Sequence, residues 1–159
     1  MYLYLVRHGD ARPKEQDPER HLSEKGMLEV SEIAAFLNCA EVRVDEIWHS
    51  AKERARRTAL IMAEAVPHKN IIERAGLAPN DPVAGLAAEI DQLHEDIMIV
   101  GHLPFLSVLA SRLVSGSDEL QFLYFRPAGV VCLEKCGNGW GVAWMMDPGL
   151  LSKCLKKKN

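Results

Sequence analysis

The sequence is poor in the features that mark several large protein classes. No apolar run approaches the roughly 20 residues that cross a bilayer. Arg7 and His8 interrupt the one apolar stretch near the amino end, so neither a membrane span nor a secretory leader is expected. Charge of one sign is not in excess: the formal net charge is −3, which gives no general attraction to nucleic acid or to acidic membranes. Cysteine is sparse. Cys39, Cys132, Cys136 and Cys154 form no C-x-x-C pair, and no histidine pair accompanies them to complete a zinc site, so reduced thiols without a metal role are expected. A Walker loop, a G-x-G-x-x-G fingerprint and an acidic magnesium cluster are all missing, as are internal repeats, linkers and low-complexity segments. These absences point to a cytoplasmic protein without a metal or cofactor. What remains is an ordinary globular composition, 48% hydrophobic and 26% charged in 159 residues. One domain over residues 1–159 is expected, burying about 70% of its unfolded surface. Lys156-Lys157-Lys158 reads as a solvated, frayed tail.

The chain is organised around Tyr2-Leu3-Tyr4-Leu5-Val6-Arg7-His8-Gly9-Asp10-Ala11. Five apolar residues without alternation fit a strand buried on both faces of a parallel sheet. Gly9 turns the chain where a side chain would obstruct it. Arg7 and His8 then stand at the carboxyl end of an early strand, where open α/β sheets bind their ligands.

After a polar loop from Arg12 to Arg20, Ser23 caps a helix to about Leu37 with Met27, Val30, Ala34 and Leu37 on one stripe. A short strand, Glu46-Ile47-Trp48, leads to Ser50-x-x-Glu53, a capping-box pattern that starts a second helix with Ala55, Ala59, Met62 and Val66 inward. Arg54 falls in its first turn, where the helix dipole disfavours a cation that has no anion to hold. Arg56 reads as a solvated surface residue, and Arg57 is open. Ile71-Ile72 is a strand candidate. Asp81-Pro82 has the form of an N-cap and first helical position, opening a helix with Val83, Leu86, Ala87 and Ile90 inward. Asp96 to Val100 is a further buried strand ending in Gly101-His102, and Pro104 opens a helix that stops at Ser115-Gly116. Phe122–Phe125, Val130–Leu133 and Val142–Met145 read as strands, the last two joined at Gly137-Asn138-Gly139. The order predicts an α/β three-layer sandwich with a mostly parallel sheet and an antiparallel carboxyl-terminal hairpin.

Arg7 and His8, Arg54, and His102 all follow strands, so in a doubly wound sheet they converge on one edge, together with two helix amino ends. Two arginines suit phosphate oxygens, which guanidinium groups bind bidentately. A histidine beside them adds chemistry. A neutral imidazole can attack phosphorus in line, while the cations and second histidine stabilise the transferring charge. The arginines should disfavour the imidazolium of His8 and lower its pKa.

These residues are recognisable. Arg7-His8-Gly9 resembles the signature of the histidine phosphatase superfamily, the phosphoglycerate-mutase-like group. Leu22-Ser23-x-x-Gly26 is similar to its Leu-Thr-x-x-Gly segment, Ser50 to Ala59 to its Ser-Pro-Leu-x-Arg-Ala-x-Gln-Thr-Ala stretch, and Gly101-His102 to its second histidine motif. Arg7-His8-Gly9-Asp10-Ala11 with the short length is most similar to the SixA-type phosphohistidine phosphatases. The resemblance implies a phosphoglycerate-mutase-like fold without a cap domain, a phosphohistidine intermediate on His8, and Arg7, Arg54 and His102 as the rest of the phosphate pocket. It departs at Ala51-Lys52, where the family has Pro-Leu, and in the missing glutamate that serves larger members as proton donor. Asp81 is the nearest substitute by order, with Asp17 and Glu19 behind it, and Arg20 is a candidate for the substrate rim. The expected partner is a phosphorylated protein, such as a histidine phosphotransfer domain, or else a small phosphate ester. The alternatives are a small-metabolite phosphatase or mutase and, of a different class, a non-catalytic phosphoprotein-binding regulator using the same pocket.

Overall fold

The computed structural model describes residues 1–120 and 122–156. The backbone of Lys156 closes the last helix, and the remainder of the lysine run lies outside the described residues. In chain order the elements are β1 (Tyr2–Arg7), α1 (Glu24–Cys39), β2 (Glu46–His49), α2 (Glu53–Ala65), β3 (Asn70–Glu73), α3 (Ala84–Ile90), β4 (Ile97–Gly101), α4 (Phe105–Ser115), β5 (Val130–Cys136), β6 (Gly139–Met146) and α5 (Pro148–Lys156). The strands form one sheet in the order β3-β2-β4-β1-β5-β6. β3, β2, β4 and β1 are mutually parallel, whereas β5 runs antiparallel to both β1 and β6. The α/β sandwich, its mostly parallel sheet and its antiparallel finish are as the sequence predicts, and no cap domain is inserted among the described residues.

The unbroken apolar runs are explained by two covered faces. In β1, Tyr4 and Val6 face the core shared with α1 and α2, while Leu3 and Leu5 face the core shared with α3 and α4. β4 does the same, with Met98 and Val100 on one side and Ile97 and Ile99 on the other. Each fully buried Leu or Ile contributes about 1.5–3 kcal/mol relative to exposure, so the centre of the sheet is a firm base for whatever its strand ends carry. β1 and β4 are neighbours, yet α1 and α4, the helices that follow them, lie on opposite faces. Their carboxyl ends therefore open onto the crevice of a topological switch point.

Close packing sets the turn after β1. A Cβ on Gly9 would lie 2.7 Å from Val30 Cγ2, and one on Gly26 would run into the Asp10 carbonyl oxygen. These two glycines let the strand tip touch the start of α1, whose cap Ser23 accepts a hydrogen bond from the Gly26 amide at 3.0 Å and donates one to Asp10 Oδ2 at 2.6 Å.

The structure departs from the sequence reading in four places. The capping box does not form: α2 begins at Glu53 after Lys52, with no side-chain cap, and Ser50 Oγ instead accepts a long hydrogen bond from the Lys52 amide (3.4 Å) and reaches His102. Asp81 does not cap α3, which begins after Val83. Its Oδ2 instead accepts from the Ala78 amide at 2.8 Å, closing its own turn. Phe122–Phe125 is not a strand. The segment alternates inward and outward as a strand does, but two of its carbonyls are taken by side chains, Leu123 O by Ser107 Oγ (2.6 Å) and Phe125 O by Arg7 Nη1 (2.7 Å), and ahead of it Leu120 O accepts from Ser111 Oγ. Finally, α5 packs against α1, with Ser152 Oγ on Glu32 Oε2 at 2.6 Å, an element that the sequence did not announce.

Candidate active site

His8 follows β1 directly, and its amide continues the strand pairing to Gly101 O (3.0 Å). Its side chain is 8% exposed. Nδ1 lies 2.7 Å from the Gly9 carbonyl oxygen. A carbonyl only accepts, so Nδ1 carries the proton and Nε2 keeps its lone pair. That lone pair faces Arg54, whose Nε–H donates to it at 3.2 Å. The Gly9 amide in turn donates to Thr58 Oγ1 at 3.0 Å, and Thr58 is fully buried one turn along α2 from Arg54. The nucleophilic nitrogen is thus oriented by successive contacts, Thr58 to Gly9 to Nδ1.

His102 stands at the end of β4, 1% exposed, with its ring centroid 5.0 Å from that of His8. Ser50 Oγ holds its Nε2 at 3.0 Å. Among the described residues His102 Nδ1 and Arg7 Nε are buried without a hydrogen-bond partner. Buried polar atoms without partners are rare and call for a reason. Two of them, from adjacent strand tips, beside an arginine and a lone-pair nitrogen, fit a pocket arranged for the oxygens of an anion.

The electrostatics agree with that geometry. Burial is the largest cause lowering the His8 pKa to about 4, with Arg54, Arg7 and Arg20 adding to it against the opposing Gly9 hydrogen bond. The direction is the one expected from the arginines, but desolvation is the larger contribution. Burial, then the neighbouring His8, Arg54, Lys52 and Arg20, pushes His102 down to about 3. Both rings are neutral at pH 7. Arg54 is itself lowered by burial and by Arg20, a sign of uncompensated positive charge.

Arg20 lies on the rim, lining with Lys14, Lys52 and Arg54 an open recess of about 570 Å³. It holds a left-handed backbone (φ 56°) and anchors its Nε on Arg12 O at 3.2 Å. A non-glycine residue in that region stores strain that functional loops commonly carry. Ala128, whose amide donates to the His8 carbonyl oxygen at 3.2 Å, is also left-handed (φ 60°). Asp81 is engaged in its own turn and, among the described residues, forms no side-chain hydrogen bond or ion pair with the other candidates. Asp17 and Glu19 pair with His21 at 2.8 and 3.3 Å. Slight burial raises the Asp17 pKa, but hydrogen bonds from His21 and from the Glu19 amide outweigh it and hold the carboxyl below its usual range. Arg56 and Arg57 are exposed, Arg56 paired with Glu53 at 3.3 Å. Ser50, Thr58 and the Phe125 carbonyl, which fixes Arg7, are site groups that sequence reasoning alone does not single out. Ser50 and Thr58 do fall within the Ser50–Ala59 stretch that carries the family resemblance, so a signal is present for both.

The family model of the histidine phosphatase superfamily (branch 1) matches residues 3–79, which hold His8, Arg20 and Arg54. An uncharacterized protein of Picosynechococcus sp. is 30% identical over 143 residues, 84% of this chain and 85% of that relative. The chain belongs to the histidine phosphatase superfamily. Among solved structures, the protein histidine phosphatase SixA, complexed with tungstate, superposes with a TM-score of 0.84 at 22% identity, covering 95% of this chain and 99% of that one. A putative phosphohistidine phosphatase SixA from Agrobacterium tumefaciens gives 0.76 at 25% identity, covering 92% and 97%. The superfamily fold, without a cap domain, is therefore shared over nearly the whole length.

Proposed function

We propose that the protein is a phosphatase acting through a phosphohistidine on His8 Nε2, and that its substrate is phosphohistidine in another protein. The observation that carries the reading is the state of His8. Its Nδ1 proton is held by the Gly9 carbonyl, and its Nε2 lone pair is neutral well below pH 7 and aimed at Arg54. The substrate reacts as the phosphoimidazolium, protonated on its remote ring nitrogen. The Arg54 N–H turns from Nε2 to a phosphate oxygen, and the freed Nε2 lone pair attacks phosphorus. The P–N bond breaks with its electron pair going to the substrate nitrogen, so that neutral imidazole leaves. Arg7 Nε, Arg54 and His102 Nδ1 supply donors to the three equatorial oxygens as charge builds. Water then attacks phosphorus, and the His8 lone pair is restored as inorganic phosphate departs.

Leaving-group chemistry supports the nitrogen substrate. An alkoxide needs a strong proton donor, whereas imidazole leaves readily because its conjugate acid has a pKa near 6.5. Among the described residues the three carboxyl candidates are occupied by their own loops. Transfer from a substrate histidine to His8 also exchanges one P–N bond for another and is nearly balanced. A second reading, hydrolysis of a small phosphate ester, draws support from the same fold in a phosphoserine phosphatase from Entamoeba histolytica, at a TM-score of 0.71 and 14% identity. Comparing kcat/KM for a phosphohistidine protein, a phosphoserine peptide and a panel of small esters separates them. The phosphohistidine protein should be fastest, and an ester turned over fastest promotes the second reading. Quenched reactions should carry acid-labile, alkali-stable phosphate on His8, and label on another residue rejects the mechanism.

A further inference from the structure

The crevice has two unlike rims, on opposite faces of the sheet. The rim on the α2 side is predominantly basic: Lys14, Arg20, Lys52 and Arg54 line it beside two carboxylates, Glu19 and Glu53. The rim on the α4 side is apolar. Leu120, Phe122 and Tyr124 are 57%, 52% and 69% exposed within five residues of chain. Phe122 and Tyr124, with Leu103 and Pro104, surround a recess of about 180 Å³. Scattered exposed apolar residues are ordinary, but a cluster of this kind beside a functional pocket marks an interaction surface.

The segment is built to display these side chains. Ser107, Ser111 and Arg7 hold its carbonyls from below, Leu123 packs against the core, and Phe125 is fully buried. Two-residue alternation then turns Phe122 and Tyr124 outward. The patch is continuous with the pocket at both ends. Leu103 follows His102 in the chain, and the Phe125 carbonyl fixes Arg7 at 2.7 Å.

We infer that the apolar rim of Leu103, Pro104, Phe122 and Tyr124 docks the body of a protein substrate whose phosphohistidine enters the pocket. The inference rests on the phosphohistidine reading above and adds the surface that selects proteins over small phosphates. The unlike rims define the partner's chemistry: apolar side chains on one flank of its phosphohistidine, one of them seated in the recess, and carboxylates on the other flank facing Lys52 and Arg20. Aromatic residues at such a contact dominate its energy, each worth a factor of about ten or more on removal.

The test compares two substrates with the same scissile bond: an isolated histidine phosphotransfer domain phosphorylated with phosphoramidate, and free phosphohistidine. The double variant Phe122→Ser/Tyr124→Ser removes exposed side chains and leaves Leu123 and Phe125 in the core. It should lower kcat/KM for the protein by about tenfold or more, chiefly through KM, and leave free phosphohistidine unchanged. Phe122→Leu/Tyr124→Leu should recover much of the loss, and Lys52→Glu should weaken the protein substrate with a changed dependence on salt. Equal kcat/KM for wild type and the serine variant on the protein overturns the inference. So does an equal loss on both substrates, which makes the segment a support for Arg7 rather than a docking surface. A wild-type dimer in sedimentation that the serine variant abolishes assigns the patch to a second copy and also overturns it. If wild type turns over free phosphohistidine but not the protein, docking fails while the chemistry stands. If it turns over neither, the phosphohistidine reading has failed and takes the inference with it.

Discussion

The two ends of the sheet are both polar, and they handle polarity in opposite ways. At the amino end of the parallel strands, Asp45 Oδ2 accepts from the Asp96 amide at 3.0 Å, and Asp45 Oδ1 meets Lys69 at 2.6 Å. There too, Asp96 Oδ1 accepts from the Tyr2 amide at 2.6 Å, and Trp48 donates to Glu46 at 2.6 Å. Carboxylates outnumber cations there, but each of these carboxylates accepts a hydrogen bond, Asp45 also meets Lys69, and the contacts tie strands together. At the carboxyl end the site is cationic, Arg7 Nε and His102 Nδ1 are buried without partners among the described residues, and both histidines are driven far below their ordinary pKa. Pairing stabilises one edge. The other edge is left unpaired, at a cost in stability, so that a ligand can complete it. Phosphate should therefore raise the melting temperature of the free protein by binding the folded state alone.

The comparison is tested most severely at His8. His8→Ala should abolish turnover and covalent phosphate while the protein stays folded. Normal turnover by that variant removes the catalytic edge from the scheme. Arg54→Ala and Arg7→Ala should each lower kcat by about 10²-fold, the scale of one lost transition-state donor. A steady-state assay showing only a raised KM would make them binding groups instead. Positioning should matter less: Ser50→Ala and Thr58→Val, which act through His102 and Gly9, should cost about tenfold in kcat. Their expected signature is a displaced His8 or His102 resonance, which a merely destabilised protein would not give.

Titration distinguishes the edges in sign-defined fashion. His8 and His102 bind protons more weakly folded than unfolded, with about 4 and about 3 against 6.5. Their neutral forms suit the folded state, so no stability is lost on their account above pH 6.5. Stability declines as pH falls from there toward the folded values, and each tenfold difference in proton affinity corresponds to about 1.4 kcal/mol. Thermal unfolding from pH 7 to pH 4 should show a decline that His8→Ala makes shallower. An NMR titration placing His8 above 6.5 contradicts the buried, neutral imidazole. The smallest effect is expected at the opposite edge. Asp45→Ala should lower stability by about 1 kcal/mol and leave kcat/KM unchanged, and any loss of activity at constant stability breaks the separation between the two edges.

Much of this was legible from local patterns. Continuous apolar runs revealed β1 and β4, because both faces of a central parallel strand are buried. Gly9 placed the first turn and Ser23 the start of α1, and the residues after each strand placed Arg7, His8, Arg54 and His102 on one edge. The misreadings share a cause. Ser50, Asp81 and the Phe122–Phe125 segment each have a hydrogen-bonding preference that short-range sequence satisfies one way and the fold another. Ser50 fits a capping box, but its hydroxyl is engaged by His102, fifty-two residues on. Asp81 fits an N-cap, but its carboxylate closes the turn back to Ala78. Phe122–Phe125 alternates like a strand, but serines of α4 and Arg7 take the carbonyls of this stretch in place of a neighbouring strand. The sequence by itself determined the strands and helices from β1 to α4, the closing hairpin and the end of the sheet where the candidate residues gather, since periodicity and strand-end residue types are local properties. Only the tertiary structure decided the pairing of His8 Nε2 with Arg54, the unpaired donors of Arg7 and His102, and the unlike rims of the crevice, because each depends on groups far apart in the chain meeting in a space where burial removes water.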